Sequence, residues 1–204
     1  MTDDRKAQVA KLTTLSDAED SSQALLEQAA LEILQERGVL AGLNLREVAE
    51  RAGVNRALVY HHFGSREALL RSALRRDLDT RLQEISEGLP LPFNARIRQL
   101  LRTLVRHQPA IRLALLLVLD GKEPVRLAPL QDAWLESFRT DRAQGVIDAD
   151  LDLGALLVLV STLSYGYALL RDLFAEELDV SAVELDWRID ALLERLLAAS
   201  VERA

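Results

Sequence analysis

The segment Arg56-Ala-Leu-Val-Tyr-His-His-Phe63 brings an arginine, a tyrosine and two histidines together in one short stretch. At helical period, Arg56, Ala57, Tyr60 and His61 share an outer face while Val59 and Phe63 turn inward. A guanidinium, a phenol and an imidazole around one small residue make a donor-rich surface suited to a DNA major groove. The preceding run, Leu45-Arg-Glu-Val-Ala-Glu-Arg-Ala52, is also helical in period, and Leu45, Val48 and Val54 complete the inner face. Ala49 is small enough to let two helices approach. Gly53 takes the left-handed turn conformation at no steric cost. Two short helices joined by Ala49-x-x-x-Gly53-Val54 suit a helix-turn-helix.

Charge supports this placement. The protein carries a net charge of −7, which argues against nucleic acid if taken alone. Its distribution is uneven. Residues 1–42 are net −4 and residues 77–204 net −7, but residues 43–76 hold seven arginines and three glutamates, net +4. Phosphate neutralisation is local, so a basic window inside an acidic chain can still bind DNA. Residues 1–20 hold three basic and five acidic side chains, which argues against a basic minor-groove arm.

Little else in the chain suggests chemistry. There is no cysteine, so disulfides, thiol nucleophiles and cysteine metal sites are excluded. The three histidines, His61, His62 and His107, are too few for a His-rich metal site. No glycine-rich phosphate loop, nucleophile elbow or metal pair appears. Asp148, Asp150 and Asp152 read as loop and cap residues. The expectation is therefore a protein that is not an enzyme, with no catalytic residue, metal or cofactor. The polar start, Met1-Thr-Asp-Asp-Arg-Lys6, has no apolar signal segment, which points to the cytoplasm. Leu153–Leu170 runs 18 residues without a charge, but Gly154, Ser161, Thr162, Ser164 and Gly166 interrupt it. It reads as a helix buried on two sides rather than a membrane span, so no membrane partner is expected.

These residues need a helical frame. With 204 residues, nine glycines and five prolines, the chain allows one domain or two small ones and disfavours a turn-rich β-sandwich. No β-period run or fixed-spacing repeat appears, so the fold class is all-α with about nine helices. The first runs from Ser21 to Arg37, with Asp20 and Gln23 at capping-box spacing, an apolar face of Leu26, Ala29, Ala30, Ile33 and Leu34, and Gly38 as its stop. Asn44-Leu-Arg-Glu47 is a second capping box and opens Leu45 to Arg51 or Ala52. Asn55 caps Arg56–His62, and Ser65 caps Arg66–Glu87. Pro90 and Pro92 mark a boundary. Five further helices cover Asn94–His107, Pro109–Leu119, Val125–Gln144, Asp152–Ala175 and Ala182–Val201, the last behind the box Ser181-Ala-Val-Glu184.

The segment from about Ala24 to Leu74 resembles the DNA-binding domain of TetR-type transcriptional regulators. Leu45-Arg-Glu-Val-Ala-Glu-Arg-Ala-Gly-Val54 and Val59-Tyr-His-His-Phe-Gly-Ser-Arg-Glu-Ala-Leu-Leu70 carry the likeness. The resemblance implies three parts: a flexible segment 1–20, a three-helix helix-turn-helix DNA-binding domain 21–76, and a helical effector-binding and dimerisation domain 77–204. It implies that Asn44 sits where the family often places a phosphate-binding threonine, and that Arg46 starts the helix crossing the backbone. Asn55, Arg56 and Ala57 then face base edges, and Tyr60 holds a phosphate with His61 beside it. Arg66 replaces the family's usual lysine at another phosphate position. Leu58 departs from a frequent threonine or serine and offers at most a methyl contact. His62 is read as packing between the helices. Arg71, Arg75 and Arg76 are read as solvated or paired with Glu67 and Asp79.

The same resemblance implies a ligand-responsive regulator, in most relatives a repressor. It would act as a homodimer on a palindromic double-stranded operator and answer a small effector of unknown identity. Apolar and aromatic residues with a few polar ones are the pocket candidates: His107, Leu116, Trp134, Phe138, Tyr165 and Tyr167. An apolar or amphipathic effector fits such a set. The stripe Leu185, Ile189, Leu192, Leu193 and Leu196, with the apolar helix before it, suits a four-helix dimer interface. The competing reading is a helical scaffold or interaction module whose helix-turn-helix no longer binds DNA. The intact set Arg56, Tyr60 and Arg66 counts against it.

Overall fold

The computed structural model describes residues 21–37, 42–119 and 128–201. These form nine helices and no strand. They are α1 (21–37), α2 (Leu45–Ala52), α3 (Arg56–Phe63), α4 (Arg66–Gly88), α5 (Phe93–Arg106), α6 (Gln108–Leu119), α7 (Gln131–Ala143), α8 (Leu153–Glu177) and α9 (Ala182–Val201). The chain divides into two compact units between Asp77 and Leu78, within α4.

The first unit packs α1, α2, α3 and the start of α4 around Leu26, Ala29, Ala30, Ile33 and Leu34 of α1. Val48 and Ala49 of α2, Val59 of α3, and Leu69 and Ala73 of α4 complete the core. A buried carboxylate also sits here. Glu27 accepts from Gln23 Nε2 at 3.0 Å and from Ser72 Oγ at 2.5 Å, and Arg76 lies 3.5 Å away. Gln23 thus serves this network. Asp20 and Gly38, the other proposed ends of α1, lie outside the described residues. Arg76 pairs with Glu27, where the sequence suggested Glu67 or Asp79.

In the second unit α8 packs against α5, α6, α7 and α9. Its core holds Ile97, Leu100 and Leu104 of α5, Ile111 of α6, Trp134 and Phe138 of α7, and Leu157 and Ala168 of α8. Arg96 is buried between the rings of Phe93, Trp134 and Phe138. It pairs with the buried Asp141 and donates to the Leu89 and Leu91 carbonyls. A buried charge is tolerable when its donors are used in this way.

Most helix limits fall within two residues of those the sequence suggests, because side-chain caps fix them. Asp152 Oδ1 accepts from Ala155 N at 3.0 Å, Ser65 Oγ from Ala68 N at 3.1 Å, and Ser181 Oγ from Glu184 N at 3.1 Å. The capping boxes are only half built. Asn44 Oδ1 accepts from Arg46 N, while the Glu47 carboxylate turns to Arg37 at 2.8 Å. Glu184 likewise turns to Arg188. The seventh helix is a correction. It starts at Gln131, not Val125; residues 128–130 are non-helical, and residues 125–127 lie outside the described residues. Its cap position is Leu130, which has no side-chain cap bond.

Candidate nucleic-acid interface

The turn between α2 and α3 is built by backbone bonds. Gly53 sits at φ 67°, in the left-handed region. Val54 N donates to Ala49 O at 3.1 Å and Gly53 N to Glu50 O at 3.2 Å, the paired closure of a Schellman ending. A Cβ at Gly53 would meet no atom within 4 Å, so only backbone strain reserves the position for glycine. Val48 and Ala49 on one side and Val59 on the other are all 2% exposed or less, which fixes how α2 and α3 meet.

With that inner face fixed, Arg56, Ala57, Tyr60 and His61 are all exposed, as the helical period predicts. Arg56 and Tyr60 act together. The guanidinium donates to Tyr60 Oη at 3.2 Å and lies 5.6 Å from its ring centroid. Asn55 Oδ1 accepts from Ala57 N at 2.9 Å and thereby starts α3. Each asparagine, Asn44 and Asn55, spends its side-chain oxygen on a cap and not its amide NH2. Arg46 is exposed and bonded to Glu50 at 2.9 Å. Arg66 is exposed and rests on Gly42, where a Cβ would come within 3.3 Å of its guanidinium.

Other basic residues of the window hold α2 and α3 in place. Arg51 makes a two-pronged contact with Glu36 at 2.6 and 2.7 Å, and that bond holds the Glu36 carboxyl below its ordinary value. His62 is half-buried, with Nε2 2.9 Å from Ser22 Oγ, and it ties α3 to α1. Leu58 is half-buried as well. The first unit thus presents two short helices with one arginine–tyrosine pair on the exposed face of the second.

Residues 26–73 match the family model described as bacterial regulatory proteins, tetR family. A curated relative, the HTH-type transcriptional regulatory protein RaaS of Mycobacterium tuberculosis, is 46% identical over 52 residues. The helix-turn-helix unit is of the TetR type. That stretch is 26% of this chain and 24% of RaaS, so the likeness is carried by the helix-turn-helix unit. The fold likeness is longer. A Rhodococcus protein described as a TetR-family transcriptional regulator is 24% identical, with a TM-score of 0.61 over 87% of this chain and 99% of its own. A gamma-butyrolactone receptor, an ArpA-like protein, is 17% identical, with a TM-score of 0.57 over 92% and 100%. PfmR of Thermus thermophilus, a TetR-family transcriptional regulator, is 19% identical, with a TM-score of 0.56 over 84% and 97%. At these identities the structures establish the fold, an N-terminal helix-turn-helix followed by a helical C-terminal half.

The six pocket candidates of the second unit do not gather at one place. Trp134 and Tyr165 line a cavity of about 30 Å³ between α4, α5, α7 and α8. Phe138 is 0% exposed and stacks behind Trp134 at 5.5 Å, inside the core. His107 lies 3.4 Å from Glu84, whose carboxyl burial would raise but the His107 bond and the Arg106 charge lower. Leu116 is 38% exposed on α6. Tyr167 donates to Asp186 at 2.8 Å and borders a separate groove with Trp187. The cavity adds residues the sequence reading missed: Arg81, Ser161, Leu78, Leu82, Ile85 and Leu157. Leu78, Leu82 and Ile85 form an apolar helical stripe with Arg81 inside it, and that interruption was the available signal.

The proposed interface stripe also divides. Leu185 is 6% exposed and belongs to the unit's own core. Ile189 and Leu193 are half-buried, and Leu192 and Leu196 are exposed. Other large apolar side chains on these two helices are more exposed, Trp187 and Val183 on α9 and Val158, Leu159 and Leu163 on α8. Among the described residues α8 is the one helix long and apolar enough to cross a membrane, by length and composition only.

Proposed function

We propose that this chain is a TetR-type regulator, a homodimeric repressor of a palindromic operator released by a small apolar or amphipathic effector. The observation that carries the reading is the outer face of α3, where Arg56, Ala57, Tyr60 and His61 stand exposed in a window of net +4. Arg56 is the base-reading side chain, Ala57 leaves room for a thymine methyl, and Tyr60, Arg46, Arg66, Asn44 and Asn55 bind phosphates or align α3. One such head reads one half-site. Two heads need a dimer, and the exposed leucines and valines of α8 and α9 supply an apolar surface for it. The cavity of the second unit is the effector's entry point, and the ligand acts by differing in affinity between two arrangements of the dimer. A regulator of this kind works in the cytoplasm, beside its DNA.

The test is selection of bound sequences from a random duplex library at two salt concentrations. A two-fold-symmetric consensus whose affinity falls steeply with salt is the expected result. No enrichment at either salt would move the scaffold reading ahead.

A further inference from the structure

We propose that Glu50 acts as a brake on DNA binding: it holds Arg46 on the protein until a phosphate displaces it, and so limits affinity for duplexes of every sequence. The inference rests on the DNA-binding reading above and adds a residue that tunes it. Arg46 lies in the first turn of α2, just past the Asn44 cap. Its Nε donates to Glu50 Oε1 at 2.9 Å, and the two side chains are 71% and 64% exposed. Other carboxylate pairs of this helix are built between helices. Arg51 reaches Glu36 of α1 at 2.6 and 2.7 Å, and Glu47 receives Arg37 of α1 at 2.8 Å. Those contacts fasten α1 to α2, whereas the Arg46 pair lies within α2 and opens without loosening either helix.

Helix stability does not account for this pair. At four-residue spacing the favourable order places the acid nearer the N-terminus, where it suits the helix dipole. Here the arginine comes first and the glutamate second, the weaker order, at an exposed site where such a pair contributes little. Its position has a different consequence. In a helix-turn-helix the first helix crosses the DNA backbone, and Arg46 at its start is a phosphate ligand of the reading above. A guanidinium bonded to a carboxylate presents little net charge to an approaching phosphate. Binding therefore exchanges one anion for another: the bond to Glu50 opens and a two-pronged bond to phosphate forms. A phosphate contact carries no sequence information, so the cost of opening falls equally on operator and non-operator duplexes.

The experiment measures affinity of the full-length protein for the library-selected duplex and for a scrambled duplex of the same composition, across a series of salt concentrations. Glu50→Gln is expected to tighten both by about two- to fivefold, with a steeper fall in salt. Its helix content and thermal midpoint should stay near native, because the residue is exposed and glutamine is about as good a helix former. Arg46→Ala should cost more affinity in the Glu50→Gln protein than in the native one, since there the arginine gives up no carboxylate on binding. Unchanged or weakened binding by Glu50→Gln overturns the brake and leaves the DNA-binding reading standing. Equal costs of Arg46→Ala in both backgrounds overturn the exchange, and tightening confined to the selected duplex overturns its indifference to sequence. A native protein that binds neither duplex removes the DNA-binding reading, and the brake with it.

Discussion

Arg56 and Tyr60 work as a pair because α3 places them four residues apart on one face. The bond of 3.2 Å and the ring beneath the guanidinium hold Arg56 in one region of space. Arg56→Ala is expected to cost about 1–3 kcal/mol of operator binding and to relax specificity at one base position. Tyr60→Phe keeps the ring and loses the hydroxyl, so its cost should be smaller, roughly 1 kcal/mol, with the consensus unchanged. Titrations of each variant on the selected duplex and on single-base variants of it check both. An Arg56→Ala protein that binds every duplex as the native protein does would remove Arg56 from the reading head. Gly53 tests the frame beneath. At φ 67° with open space around it, Gly53→Ala pays only for the left-handed backbone, roughly 1–2 kcal/mol. A lowered thermal midpoint with unchanged DNA affinity of the folded fraction is the expected outcome. The α3 face was legible in the sequence because exposure there follows from period alone. The role of His62 was legible only as packing; its bond to Ser22 spans 40 residues, a distance that local pattern cannot reach.

At the scale of elements, helix starts were readable wherever a side chain caps them. The start of α7 was not, because Leu130 offers no cap and Pro129 precedes it. Arginines inside the fold were also missed, since composition treats them as surface residues; Arg81 and Arg96 are buried by the helices around them. The contacts of α9 show how charge fixes one helix on others. Asp190 accepts from Arg98 at 2.5 and 3.0 Å and from Arg102 at 2.8 and 2.9 Å, tying α9 to α5. Tyr167 and Arg171 hold Asp186 and tie it to α8, and burial followed by the Asp186 bond pushes the Tyr167 phenol well up. The bond from Arg98 holds the Asp190 carboxyl below its ordinary value, helped by Arg102 against the opposing effect of burial. A depressed folded value means that this stabilisation is present above the unfolded carboxylate value of about 3.9 and is lost as pH falls through the folded one. Asp190→Asn is therefore expected to destabilise the protein by about 1–3 kcal/mol at pH 7. Urea titrations of both proteins from pH 7 downward should converge in acid; a constant gap would place the cost in packing rather than charge.

For the whole molecule, the decisive feature is a surface the single chain leaves uncovered. Val158, Leu159 and Leu163 on α8 are 64%, 58% and 64% exposed, and Trp187 on α9 is 74% exposed. The sequence marked α8 as apolar nearly all round, but which side faced the core followed only from the packing of α5, α6, α7 and α9 around it. Exposed apolar side chains on two neighbouring helices are a surface that, in the proposed homodimer, a second copy would cover in the simplest closed symmetry. Light scattering should therefore give twice the chain mass of 22.8 kDa at micromolar concentration. Leu159→Glu and Leu163→Glu each place a charge on the exposed side of α8 without touching the core, so helix content should persist while the mass halves. If two heads are needed on a two-fold site, operator affinity should fall together with the mass, because each half-site then binds alone and loses the effective concentration its partner supplied. A variant that is monomeric yet binds the symmetric duplex with native affinity would break the link between this face and DNA recognition. A native protein that is monomeric but sediments with lipid vesicles would assign the apolar side of α8 to a membrane instead.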